Sequence, residues 1–172
     1  MRENVPAAER MVELLGNLLR STLHENGATQ LRLADEVVFA ERYLEIERTR
    51  FPSRLFVIWE IAPETLDALV PHFILQPFVE NAVRHGIAPR SVPGTVWIGA
   101  WREADRLHLR VRDDGVGPGG KIVEEKGVGI ANTRARLQNL YGDAAHLAAG
   151  EAPGGGFEVT IHIPFREKAA AN

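Results

Sequence analysis

The stretch from Gln76 to Gly86 reads Gln-Pro-Phe-Val-Glu-Asn-Ala-Val-Arg-His-Gly, and it constrains the fold of this chain more than any other. Leu75, Phe78, Val79 and Ala82 fall at i, i+3, i+4 and i+7, the apolar stripe of a helix. Glu80 and Asn81 lie off that stripe. Asn81 and His85 are four apart, so they sit one above the other on one face. Taken alone, this is also the pattern of an ordinary surface helix. Pro77 must either start the helix proper or kink it.

Two later stretches change the reading. Leu107, Leu109 and Val111 alternate with His108, Arg110 and Arg112, which predicts a strand over 106–113. It closes on Asp113-Asp114-Gly115-Val116-Gly117-Pro118-Gly119-Gly120. That is a turn, or a carboxylate that accepts hydrogen bonds from a ligand while Gly115, Gly117 and their neighbours let backbone come close. Further on, Lys126-Gly127-Val128-Gly129-Ile130-Ala131-Asn132-Thr133-Arg134-Ala135-Arg136-Leu137 opens a helix on Gly127 and Gly129. Free N–H groups and the positive helix end there make an anion site.

Helix, strand end and glycine-opened helix, in this order, resemble the N, D and G boxes of the GHKL ATPase superfamily. More narrowly, they resemble the catalytic region of LytS/YehU-type sensor histidine kinases. The match is carried by Gln76, Pro77, Val79, Glu80, Asn81, Ala82, His85 and Gly86, then by Gly127, Gly129, Asn132, Arg134, Arg136 and Leu137. The resemblance implies the Bergerat ATP-binding fold: an α/β two-layer sandwich of a mixed, mostly antiparallel sheet with helices on one face, preceded by N-terminal helices. It implies ATP and Mg²⁺ as cofactors and transfer of the γ-phosphate to a histidine. In that reading Asp113 accepts the adenine amino group, Asn81 places its carbonyl oxygen on Mg²⁺, and His85 reaches a phosphate. Gly115 and Gly117 line the site, Gly127 and Gly129 wrap the phosphates, and Asn132 and Arg134 assist. Glu80 is the base that orients or deprotonates the acceptor imidazole. Asp114 is a neighbour pointing elsewhere. Where relatives read Gly-Thr before the last strand, this chain reads Gly156-Phe157, so a polar contact near adenine is in question.

With 172 residues the chain is long enough for one domain plus an appended element. Hydrophobic residues make up 45% and charged residues 25%, as in globular proteins. A net charge of −3 argues against nucleic acid as a partner. The absence of cysteine excludes disulfides, thiolate metal sites and a cysteine nucleophile. No apolar run is long enough for a membrane span and no signal peptide heads the chain, so the expectation is a cytoplasmic segment without membrane contact of its own.

In chain order, Met11, Leu14, Leu15, Leu18 and Leu19 predict a helix over 7–24, ended by Asn26-Gly27. A second helix is predicted over 31–50, with Leu33, Val37, Ala40 and Leu44 inward and its many charges solvated. Strands are predicted over 55–62, 95–102 and 106–113, with a last one around Phe157 to Ile163. Trp97 and Trp101, opposite Val96, Ile98 and Ala100, imply that the second face of the sheet is covered too. Residues 115–126 read as a mobile loop and the tail after Pro164 as frayed. The expected division is a helical segment over 1–54 and the ATP-binding domain over 55–172.

By resemblance, residues 7–24 are the second helix of a dimerisation and phosphotransfer hairpin. The first helix, which carries the acceptor histidine in the family, is absent, and the chain begins downstream of it. The implied partners are that acceptor helix, a response regulator and a second copy in the full-length receptor. Two alternatives stay open. One is a GHKL serine kinase of the anti-sigma type, against which the Glu80-Asn81 pair argues. The other is a nucleotide-binding module without transfer activity.

Overall fold

A computed structural model describes residues 30–117 and 128–167. The expected helix over 7–24, Gly127, most of the 115–126 loop and residues 168–172 lie outside the described residues. Residues Leu31–Asn172 form one compact unit.

The unit is built on a five-stranded sheet. Its strands are β2 (Leu55–Ile61), β4 (Gly94–Glu103), β5 (Arg106–Asp113), β6 (His146–Glu151) and β7 (Phe157–Pro164), in the order β2-β4-β5-β7-β6. β2 and β4 run parallel and the remaining pairs antiparallel, so the sheet is mixed and mostly antiparallel, as expected. A short pair, β1 (Gln30–Arg32) with β3 (Leu69–Pro71), stands apart. Alternation sets the buried face: Ile98, Val111 and Val159 lie in register, as do Ala100, Leu109, Ile161 and Leu147. These side chains are buried, and burying residues of this kind contributes roughly 1.5–3 kcal/mol each.

Three helices supply the other layer: α1 (Leu33–Arg50), α2 (Gln76–Asn81) and α3 (Val128–Tyr141). Pro77 starts α2 and does not kink it. The predicted stripe is the buried one, with Leu75, Phe78, Val79 and Ala82 all at most 4% exposed. α1 joins the same core through Leu33, Ala40 and Leu44. Its first N–H groups, which no helical turn can satisfy, donate to the carbonyls of Ala68 and Leu66. The expected division after residue 54 therefore runs between elements that share one core.

β1, β3 and β6 are strands that periodicity over so few residues does not disclose. Three expectations are corrected. The charges of α1 are not all solvated: Glu36 is 1% exposed and Glu47 is 4% exposed. Phe165–Glu167 are not frayed, because Phe165 N–H donates to Asp105 O at 2.7 Å and Leu69 N–H to Arg166 O at 2.7 Å. The second face of the sheet carries no further layer among the described residues. There Phe56 and Ile58 are exposed, and Arg112 and Arg110 lie over the rings of Trp97 and Trp101 at 5.3 and 5.7 Å. A row of Trp101, His108, His162 and His146 crosses four strands on that face.

Candidate functional site

The site begins where α2 starts. No side chain of its own caps this helix. Glu36, from α1, accepts the main-chain N–H groups of Phe73 at 2.7 Å and Leu75 at 3.2 Å. Phe73 sits at φ 56°, a left-handed conformation costly for a bulky residue, and its carbonyl accepts from Arg136 of α3 at 3.3 Å. Burial raises the pKa of Glu36, opposed by those N–H groups and by the charge of Arg136. Burial lowers the pKa of Arg136, opposed by Glu36. The sequence reading missed Glu36 because a helix crowded with charges gives no sign of which one turns inward. Arg136 stood in the matched motif without a role.

Along α2, Gln76 donates to Glu80 Oε1 at 2.7 Å. Asn81 ends the α-helical part, and the chain continues as a π-helical turn over Ala82–Ile87, closed by the N–H of Ala88 on Val83 O. Such widened turns recur at functional sites. Asn81 is half-buried and His85 exposed. Burial, then the positive charge of Arg84, lowers the pKa of His85 and favours the neutral imidazole. Arg54 reaches the carbonyls of Ile87, Ala88 and Arg90, which closes the helix end.

Gly86 brings this turn onto the end of β5. A Cβ at Gly86 would lie 2.5 Å from Asp113 Oδ1, and one at Gly115 would lie 2.6 Å from the same atom. Gly156, at φ 89°, lies over the main chain of Asp113, and Gly117 lies over Gly156. Asp113 is thus 3% exposed inside a wall of glycines, where nothing but missing side chains allows the approach. Its Oδ1 accepts the N–H of Gly115 at 2.8 Å. Burial raises its pKa. The main-chain N–H groups of Gly115 and Phe157 pull it back, Asp114 pushes it up and Arg90 down. Phe157 thus gives this carboxylate a main-chain N–H and offers no side-chain hydroxyl. Asp114 does point elsewhere: it accepts from Thr95 N–H at 2.9 Å and Arg90 at 3.0 Å, tying down the loop before β4.

α3 arrives beside α2, where a Cβ at Gly129 would stand 3.3 Å from Pro77 Cβ. Asn132 and Arg134 are exposed on α3, and Gly127 lies outside the described residues. The structure thus brings Gly86, Asp113, Gly115, Gly117 and Gly156 together, with Gly129 against the start of α2. Gly156 was missed as a site residue; its signal was the Gly-Gly-Gly run before β7.

A deeply buried carboxylate walled by glycines, at the end of the α2 turn, is an acceptor that main chain can approach closely. Residues 67–167 match the model of the family described as "Histidine kinase-, DNA gyrase B-, and HSP90-like ATPase". The chain belongs to that family. Its ATPase domain is preceded by a match to the histidine kinase family over residues 1–55. The chain is 32% identical over 169 residues to the sensor histidine kinase BtsS of Escherichia coli, covering 98% of this chain and 30% of BtsS. It is 31% identical to the sensor protein LytS of Staphylococcus haemolyticus, covering 91% of this chain and 29% of LytS. It therefore corresponds to the catalytic region of LytS-type kinases and spans less than a third of these relatives. The structure of histidine kinase ThkA in complex with the response regulator TrrA shares the fold at a TM-score of 0.62 and 13% identity, covering 95% of this chain and 51% of that one. No described helix is long and apolar enough to cross a membrane.

Proposed function

We propose that this chain binds ATP with Mg²⁺ and directs the γ-phosphate to a histidine on an acceptor helix of the sensor-kinase type. The observation that carries the proposal is Asp113, a carboxylate buried among glycines at the end of the α2 turn. An ionised carboxylate only accepts hydrogen bonds, so it selects a base that presents an amino group. The raised pKa from burial makes that selection costly unless a ligand donor arrives. Asn81 offers an amide oxygen of the kind a hard cation takes, beside the phosphates that bring the metal in. When bound, Mg²⁺ neutralises charge on those phosphates. Among the described residues no group of three His, Asp or Glu side chains forms an all-protein cage, which agrees with a metal held largely by nucleotide.

His85, held neutral, donates an N–H to a phosphate oxygen. Gly127 and Gly129 let main chain wrap the phosphates at the start of α3, with Asn132 and Arg134 on the same helix. Glu80 takes the proton from the acceptor imidazole as it attacks. Positioning and charge do most of the work in phosphoryl transfer, so a pre-oriented base and a glycine cradle are the parts the protein must supply. A response regulator then receives the phosphate, and the full receptor works as a homodimer.

The test is incubation of the chain with γ-labelled ATP and either a fragment bearing a family-type acceptor histidine or a serine-bearing protein substrate. Acid-labile label on the first supports the proposal, and stable label on the second favours the serine kinase. ATP binding with neither leaves a nucleotide-binding module. Glu80→Gln should keep ATP binding and lose transfer, because an amide cannot take a proton.

A further inference from the structure

We infer that Gln76 is the positioning residue for Glu80: it holds the base aimed, and it is kept for that purpose at a cost in stability. The inference rests on the assignment of Glu80 as the base.

Gln76 stands one turn before Glu80 on α2, and its amide N–H donates to Glu80 Oε1 at 2.7 Å. An exposed pair at this spacing would be an ordinary surface contact. Gln76 is not exposed: only 5% of it meets solvent. Its carbonyl oxygen Oε1 is buried without a hydrogen-bond partner among the described residues. A buried, unmet acceptor is a penalty that an apolar side chain of equal length would avoid. Packing therefore favours methionine here, and what glutamine alone supplies is the N–H on the carboxylate.

That N–H engages Oε1 of Glu80 and so fixes how the carboxylate is turned. The donor itself is well held: Gln76 opens the helix directly after the segment whose N–H groups are bound by Glu36. α1 thus anchors the start of α2, Gln76 grips one turn later, and Glu80 inherits that order.

The experiment compares the parent chain with Gln76→Met, Glu80→Gln and the double variant, using γ-labelled ATP and a supplied acceptor-helix fragment. Gln76→Met should be at least as stable to urea as the parent and keep the parent KM for ATP. Its transfer rate should fall about 10-fold. In the double variant the Gln76 change should have no further effect. Gln76→Glu, which replaces the donor with a second acceptor, should also lower the rate at the parent KM for ATP and serves if Gln76→Met does not fold. The parent rate in Gln76→Met, with Glu80→Gln inactive, would overturn the role of Gln76 alone. Full activity in Glu80→Gln would remove the base and the inference with it.

Discussion

Asp113 and Glu36 are both buried carboxylates with raised pKa values, yet they do different things. Asp113 has two main-chain N–H groups and a wall of glycines around it. We expect Asp113→Ala to weaken ATP binding about 10- to 150-fold, the loss of a hydrogen bond to a charged group. Calorimetry that finds the parent affinity would remove Asp113 from the site. The pH dependence follows from the direction of its shift. Burial lifts the pKa above 3.8, and the ionised form is the acceptor, so affinity should fall on acidification at a pH above that value. Asp113→Asn should lack that acid limb in the same titration. Glu36 faces main chain. Glu36→Ala leaves the N–H groups of Phe73 and Leu75 unmet in the interior, at a cost of about 3 kcal/mol in urea denaturation. The first carboxylate was legible in sequence because a strand pattern ends on it and glycines follow. The second was not, because nothing local separates Glu36 from Glu41 or Glu45 on the same helix.

Among the secondary-structure elements, those found from sequence share long, regular periodicity. The stripe of α2 and the alternation of β5 and β7 are strong because each buries one face against a single core. β3 and β6 failed that test: Leu69–Pro71 is three residues long, and His-Leu-Ala-Ala-Gly-Glu holds one large apolar side chain. β6 exists because β7 offers it a hydrogen-bonding edge, which is a property of the partner strand. The segment before α2 bears on phosphotransfer directly. Pro71-His72-Phe73 imitates an acceptor motif, but its neighbour Phe73 is held on its N–H by Glu36 and on its carbonyl by Arg136. His72 has no hinge to carry it to a phosphate bound at the helix it leads into. We expect no acid-labile label on His72 when the chain alone is incubated with γ-labelled ATP; stoichiometric label there would refute this.

Taken as one molecule, the unit depends on α1 for more than apolar area. α1 fills the core with Leu33, Ala40 and Leu44, and it supplies the cap that α2 lacks. Residues 30–172 should therefore unfold cooperatively in urea, whereas 55–172 should show a weak or absent transition. A cooperative, native-like 55–172 fragment would show that α1 is an accessory. Periodicity sufficed for α1, for the stripe of α2 and for the main strands. Three short glycine-rich or polar motifs sufficed for the family, because glycine and carboxylate at those spacings have few other uses. Neither the closing of Gly86 and Gly156 around Asp113 nor the inward turn of Glu36 could be read that way. Both are contacts between segments distant in sequence, and no local propensity encodes them. They arise only when the layers pack and each buried polar group must find a partner.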